Sequence, residues 1–391
     1  MKPRAVTVLG ATGSVGRSTL DLIGRTPERF EVVALTAGSN AGELAELAIR
    51  HRARHAAIAD PAQYQPLKDL LAGTGIEASA GEAAVVDAAR LPADWIMAAI
   101  VGAAGLAPTF AAAGQGTCVA LANKECLVSA GEVFLAAVKT AGARLLPVDS
   151  EHSAAFQAID QSPSHCIEAI TLTASGGPFR SWDAERLAAA RPQEALKHPN
   201  WSMGPKITID SATMMNKGLE LIEAYHLFPV EADQLRIVVH PQSIVHCLVH
   251  YCDGSVLAQM SCPDMRTPIA YSLAWPERMP APTARLDLVA LGQLSFEAPD
   301  ETRFPALRIA REALRAGGIA PTVLNAANEI AVGHFLAGQI SFMTIPKVVE
   351  AALEVAAAEI GITRAVTLAD VMEVDRAARD LASRLCAAHS L

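Results

Sequence analysis

From its amino end the chain alternates short apolar runs with stretches whose apolar residues recur at helical spacing. Ala5 to Leu9 reads as a strand, a cluster of glycines follows, and Leu20 and Ile23 lie on the apolar side of a helix. The rhythm continues through strands predicted at Glu31 to Ala37, His55 to Ala59, Trp95 to Ala99, Cys118 to Leu121 and Arg144 to Val148. Helices fall between them at Ala41 to Arg50 and near Leu106. Strands alternating with helices predict a doubly wound parallel sheet. Beyond this the pattern changes. Strands are expected from Ala169, at Ile237 to His240, at Ile244 to Tyr251 and at Val256 to Met260, with Asp253-Gly254 as a hairpin turn. Lys206 to Ile209 alternates like a short strand and leads to a helix beginning near Met214, which Ser211 or Thr213 can cap. Four helical patterns close the chain, at Pro305 to Ala316, Val323 to Leu336, Pro346 to Ala357 and Leu368 to Ala388, and suggest a helical bundle. The expected fold is therefore α/β, with a parallel-sheet domain at 1–148, a central α+β domain at 149–285, a linker at 286–304 and a helical domain at 305–391.

Composition narrows the class. A chain of 391 residues with 51% hydrophobic and 19% charged residues has ample core for two or three domains. A net charge of -9 without any Lys/Arg run argues against a nucleic-acid partner. Seven scattered cysteines without a C-x-x-C point to a reducing cytoplasm rather than a disulfide framework. No charge occurs between Asp94 and Lys124, but five glycines and prolines interrupt that stretch, so buried strands around a short helix are expected, not a membrane span. Gly10, Gly13 and Gly16 follow the basic start too soon for a signal-peptide core.

Candidate chemistry gathers at four places. The run G-A-T-G-S-V-G at Gly10 to Gly16, between a strand and a helix, matches the Rossmann-like dinucleotide fingerprint, in which backbone N–H groups meet a pyrophosphate. The next strand ends in Gly38-Ser39-Asn40 without the acid that an NAD ribose would need, which favours NADP. At Asp149 to His152, D-S-E-H places two carboxylates i,i+2; in extended chain they would share a side and grip a hard cation. The third place is Ser175-Gly176-Gly177, a second anion-binding turn, followed by a segment at 176–204 that reads as a lid ending in Trp201 and Met203. The fourth is the helix carrying Asn216, Lys217 and Glu220 on one face, with Leu219, Leu221 and Ile222 on the buried side. Ser211, Asn216 and Lys217 suit a phosphate, and Glu220, one turn on, suits a metal; an ordinary ion pair on a solvated face is the plain alternative. His240, His246 and His250 are expected to be sheet-core or subunit-contact residues rather than zinc ligands.

V-D-S-E-H, L-A-N-K-E, S-G-G-P-F-R, H-P-N-W-S-M-G and D-S-A-T-M-M-N-K-G-L-E together resemble the 1-deoxy-D-xylulose-5-phosphate reductoisomerase family, and the likeness runs on through H-P-Q-S-I-V-H, P-D-M-R-T-P-I-A and L-N-A-A-N-E. The resemblance implies an NADPH-dependent, divalent-metal-dependent enzyme of non-mevalonate isoprenoid synthesis. It would be a cytoplasmic homodimer acting on a small phosphorylated sugar, with no nucleic-acid or membrane partner. By the same resemblance Asp149, Glu151 and Glu220 would bind Mg²⁺ or Mn²⁺, and Lys124 would touch substrate oxygens. Ser150, Glu151, Ser175, His198, Ser211, Asn216, Lys217 and Glu220 would hold substrate. Thr12, Gly13, Ser14, Val15, Gly38, Ser39, Asn40, Asn123, Glu125 and Gly204 would line the cofactor site. The family often has Lys or Arg where this chain has Ser39, and Ser where it has Cys126.

Two rival readings remain at this level. A semialdehyde dehydrogenase also opens with G-A-T-G-x-V-G, and would use Cys126 as nucleophile. A redox-sensing NADP-binding protein without turnover would leave the carboxylates and the phosphate cluster without a role.

Overall fold

The structure, a computed structural model, describes residues 2–159, 163–201 and 203–389. The chain forms two compact units, one of Met1–Cys126, Phe134–Ser153 and Met265–Thr283, the other of Leu127–Val133, Ala154–Asp264 and Ala284–Leu391.

The first unit is built on seven parallel strands: β1 (Arg4–Leu9), β2 (Phe30–Ala37), β3 (His55–Ile58), β4 (Glu77–Ala80), β5 (Trp95–Ala98), β6 (Cys118–Leu121) and β7 (Arg144–Pro147). Their order is β4-β3-β2-β1-β5-β6-β7. Helices cover both faces of such a sheet, so its central strands are apolar throughout. Val6, Val8, Ile96 and Met97 are all fully buried. The uncharged stretch after Asp94 becomes β5, the helix Leu106–Ala113 and β6, as its glycines and prolines required. Among the described residues no helix is long and apolar enough to cross a membrane. The winding direction reverses between β1 and β5, which is where sheets of this kind bind ligands.

A distant piece of chain completes this unit. The helix Arg266–Ala274 brings the carbonyl of Ser272 to the indole N–H of Trp95 at 3.1 Å and that of Leu273 to Arg4 at 2.7 Å. Residues 265–283 therefore group with the parallel sheet, whereas position in the sequence had put them with 149–285.

The second unit holds a mixed sheet in the order β11-β10-β8-β9, where β8 is Ile167–Ala174, β9 Leu235–Val239, β10 Val245–Tyr251 and β11 Val256–Met260. The helices Ala306–Ala316, Ala320–Leu336, Thr344–Ile360 and Leu368–Ala388 match the four terminal patterns. They do not stand apart as a separate bundle. One core runs from Leu172 through Leu219 and Ile222 to Leu324, Val348 and Val374. Gly218 makes the close packing possible, since a Cβ there would stand 2.6 Å from that of Ala310.

Candidate active site

The glycine turn after β1 is a backbone device. Gly10 adopts φ +84°, and a Cβ on it would lie 2.7 Å from the carbonyl oxygen of Ala99, beyond β5. A Cβ on Gly16 would stand 2.2 Å from the oxygen of Gly10. The loop after β1 is thus drawn tight against its own helix, Ser14–Arg25, whose first turn leaves Thr12 to Val15 at or near the surface. Thr36 ties it to β2, accepting from the Gly10 N–H at 3.0 Å through its hydroxyl and from the Ala11 N–H at 2.7 Å through its carbonyl. Gly38, Ser39 and Asn40 lie exposed at the end of β2. Asn40 caps the next helix by accepting from the Glu43 N–H at 3.1 Å. The sequence reading found no acid at this strand end; the helix turn places Glu43 there.

Asn123 follows β6 and is nearly fully buried. Its amide donates to the carbonyls of Ile100 and Gly102 and accepts from the Cys126 N–H, so it braces the loops at the sheet's carboxyl edge. Gly105 has to be glycine here, because a Cβ would stand 2.0 Å from the Asn123 amide nitrogen. Lys124 and Glu125 next to it are buried, and the Lys124 ammonium lies 2.5 Å from Asp149, which follows β7. The D-S-E-H residues are not extended. Ser150–Ala158 is a helix, Asp149 accepts the Ser153 N–H through its own carbonyl, and Glu151 falls in the first turn, where its carboxylate accepts from the Ser150 hydroxyl at 2.6 Å. A residue that starts a helix and one in its first turn can still both face the N-terminal end, where negative charge is favoured.

In the second unit β8 delivers Ser175 into the Gly176-Gly177 turn, with φ +82° and +68°. A Cβ on Gly177 would lie 2.6 Å from the carbonyl oxygen of Ser211, so this turn seats directly on the backbone that bears the second serine. The Ser175 hydroxyl accepts from the Gly177 N–H at 3.1 Å and lies 3.0 Å from Nε2 of His198. Nδ1 of His198 accepts from the N–H groups of Asn200 and Trp201, at 3.2 and 3.0 Å, which assigns the proton to Nε2 and makes it the donor to Ser175. Burial holds the His198 pKa down from 6.5 to about 4, so the ring is neutral at physiological pH. Asn200 anchors the turn further by donating to the Pro241 carbonyl at 2.6 Å and the Ser243 hydroxyl at 2.9 Å.

The segment read as a short strand, Lys206 to Ile209, lies within the helix Pro205–Thr213. Pro205 at its first position and exposed Gly204 before it set the start. Thr208, Ile209, Asp210 and Ala212 are all buried, so the apparent alternation has no solvent side. Met214, at φ +65°, breaks the chain into the helix Met215–Leu227, and the Thr213 hydroxyl accepts the Met215 N–H at 3.3 Å. Neither expected cap holds: the N-cap position is Met214, without a side-chain cap, Thr213 reaches only the first helical N–H, and Ser211 is left half-buried beside the glycine turn. The shared face on the next helix is present: Asn216 and Lys217 both donate to Glu220, which is fully buried.

The three histidines each bind a separate partner, His240 the Ser295 carbonyl, His246 the Ser261 hydroxyl and His250 the Thr171 hydroxyl. One buried group escaped the sequence reading. Asp210 is fully buried, 2.8 Å from the Lys206 ammonium, and accepts from Asn328 at 2.7 Å. Its partner is 118 positions away, in L-N-A-A-N-E, and no local pattern announces it.

A seven-stranded parallel sheet with a glycine turn between β1 and its helix marks the class, an α/β oxidoreductase of the kind that works with a dinucleotide. Residues 6–131 match the family described as 1-deoxy-D-xylulose 5-phosphate reductoisomerase, 145–228 its C-terminal domain, and 260–381 the DXP reductoisomerase C-terminal domain. The 1-deoxy-D-xylulose 5-phosphate reductoisomerase of Rhodospirillum centenum is 59% identical over 98% of this chain and 95% of its own. That of Afipia carboxidovorans is 57% identical over 98% and 94%. The chain belongs to the 1-deoxy-D-xylulose 5-phosphate reductoisomerase family. Among solved structures, the Zymomonas mobilis enzyme in complex with NADPH aligns at TM-score 0.93 and 52% identity, covering 98% of this chain and 99% of that one. A DOX-P reductoisomerase in complex with NADPH, fosmidomycin and magnesium aligns at TM-score 0.93 and 42% identity, covering 98% of each chain.

Proposed function

We propose that this chain converts 1-deoxy-D-xylulose 5-phosphate to 2-C-methyl-D-erythritol 4-phosphate, using NADPH and a divalent cation. The observation that carries this reading is its end-to-end match, at TM-score 0.93, to a family member bound to NADPH, fosmidomycin and magnesium. A cysteine-nucleophile mechanism is not favoured: Cys126 is fully buried.

The residues fit both groups. The Gly10 to Gly16 cradle leaves no room for a Cβ at Gly10 or Gly16, as the tight turn and close helix–strand packing of a dinucleotide site require. We assign the cofactor site to Thr12 to Val15, Gly38 to Asn40, Asn123, Glu125 and Gly204. For the cation, Asp149, Glu151 and Glu220 supply hard oxygen donors suited to Mg²⁺ or Mn²⁺. Two of these carboxylates already sit beside an ammonium, Asp149 by Lys124 and Glu220 by Lys217. A divalent cation bound there supplies Lewis-acid polarisation of the substrate's carbonyl and hydroxyl oxygens. NADPH held by the glycine turn at Gly10 to Gly16 would supply a hydride to a carbonyl carbon.

The chain's own side chains do the rest. Ser175, Ser211, Asn216 and Lys217 bind the phosphate end, His198 donates from Nε2, and Lys124 and Ser150 orient the reacting oxygens. The 176–204 segment covers the substrate and excludes water. Its Phe179, Leu187 and Ala195 are anchored in the core, so we limit the cover to the turn at His198 to Trp201; Ser202 lies outside the described residues. The second unit ends its sheet in the edge strand β11, where Val256 and Leu257 are exposed, as are Leu288 and Val289. We read these as the contact of a homodimer, in a reducing cytoplasm that keeps all seven cysteines free.

The test is NADPH oxidation with 1-deoxy-D-xylulose 5-phosphate, with and without Mn²⁺. Turnover should require both substrate and cation. Undiminished turnover in excess chelator would reject the cation's role.

A further inference from the structure

A cofactor with a 2′-phosphate needs positive charge near the end of the second strand, where an NAD site offers a carboxylate to the ribose hydroxyl. Here β2 ends in the exposed run Gly38 to Asn40, none of it charged. Two charged side chains reach this place from the flanking helices. Glu43 accepts from the Asn40 amide at 2.9 Å. Arg17, in the helix Ser14–Arg25, grips the same carboxylate with Nε at 2.5 Å and Nη2 at 2.9 Å.

We propose that Arg17 is the cation this chain offers to the 2′-phosphate of NADPH, in place of a basic residue at position 39. The inference rests on the NADPH reading above and deepens it by naming the residue that sets cofactor choice. Glu43 is the acid that a free ribose hydroxyl would need, and both of its oxygens are already taken by Arg17 and Asn40. Arg17 keeps a donor in hand, because its Nη1 makes no hydrogen bond to any described residue. Its side chain is 59% exposed and lines a groove between the helices Ser14–Arg25 and Ala41–Arg50. There is room for the ligand, since a Cβ on Gly38 would meet nothing within 4 Å.

Energetics favour the exchange. An exposed ion pair contributes little to stability, so sharing the guanidinium with a phosphate costs the fold little. A phosphate dianion takes charge-assisted bonds from the guanidinium donors that Glu43 leaves unused. Glu43 orients the guanidinium but repels the incoming dianion, so Glu43→Gln should bind NADPH more tightly than the parent.

The experiment compares kcat/KM with NADPH and with NADH in the wild type, Arg17→Gln and Arg17→Gln/Ser39→Arg. Adenosine 2′,5′-bisphosphate and AMP serve as competitive probes. Arg17→Gln should lose about tenfold with NADPH, equivalent to about 1.4 kcal/mol, while NADH changes by less than about twofold. Inhibition by adenosine 2′,5′-bisphosphate should weaken in parallel, with AMP unaffected, and Ser39→Arg should restore most of the loss. An unchanged NADPH:NADH ratio in Arg17→Gln, or equal losses with both cofactors, would overturn the assignment to Arg17 alone. A wild type that uses both cofactors equally would overturn the NADPH preference beneath it.

Discussion

The glycine cradle of the first unit and the polar cluster of the second are made from different materials. The cradle consists of backbone: Gly10, Gly13, Gly16 and the bonds to Thr36 shape it, and the nearby side chains are mostly small. The cluster consists of buried charge and amide: Glu220 held by Asn216 and Lys217, Asp210 held by Lys206 and Asn328, and His198 held by two N–H groups and a serine. A backbone site is damaged by adding atoms. A site of buried polar groups is damaged by removing them, because each partner left behind keeps its desolvation cost.

Four measurements test this contrast. The largest effect is expected for Glu220→Gln, which keeps the shape and removes the charge. Turnover should fall about a thousandfold, roughly 4 kcal/mol, while NADPH affinity stays within about twofold. Loss of NADPH binding, read by fluorescence titration, would show that the two sites are not independent.

Next in size is Asp210→Ala, which strands Asn328 in the core and strips Lys206 of its carboxylate. Chemical denaturation should show a loss of about 3 kcal/mol. A loss under 1 kcal/mol would mean that this network is decoration.

Gly16→Ala is the mirror experiment, the addition of one methyl group. The backbone must shift to clear Gly10, which overpacking data put at about 1–3 kcal/mol. NADPH affinity should drop about tenfold while binding of a substrate phosphonate is kept. Unaltered NADPH affinity would disprove the tight cradle.

The smallest effect concerns pH. The folded pKa of His198 lies below its ordinary value, so the unfolded form binds a proton first as pH falls. The stability of the turn should be complete above pH 6.5, decline towards about pH 4, and change no further below that. Hydrogen exchange at the Asn200 and Trp201 amides, corrected for intrinsic rate, should follow that window and lose it in His198→Asn.

Much of the fold was legible because its signals are local. Apolar runs bounded by glycine identify β1, β2, β5 and β6, and i,i+3 and i,i+4 spacing places Lys217 and Asn216 against Glu220. The errors arose where two periods compete or where a contact is remote. K-I-T-I fits a strand's alternation, but Gly204-Pro205 ahead of it was the better signal and predicts a helix start. D-S-E-H fits an extended pair of carboxylates, but an acid followed by serine is also a common helix entry, and the helix Ser150–Ala158 forms. The Asp210–Asn328 bond, the shared core under the last four helices and the attachment of 265–283 to the parallel sheet all depend on residues far apart in sequence. The Glu43 carboxylate gives no signal at the strand end because it lies six positions past Ala37 and three past Asn40, within reach only once a helix turn brings it back.

The helix Arg266–Ala274 bears on the order of synthesis. When the ribosome has finished β7, the parallel sheet has all its strands, yet Trp95 still lacks the carbonyl it will donate to and Arg4 still lacks Leu273. More than a hundred residues must emerge before those partners arrive, and most of them belong to the other unit. An amino-terminal fragment cut after Ser153 would therefore carry an uncovered indole and a guanidinium without its carbonyl acceptors. Domains that fold as units during translation normally close before the next begins. Here the nascent first unit has to wait until residues 154–264 of the second have been made, with an exposed flank in the interval.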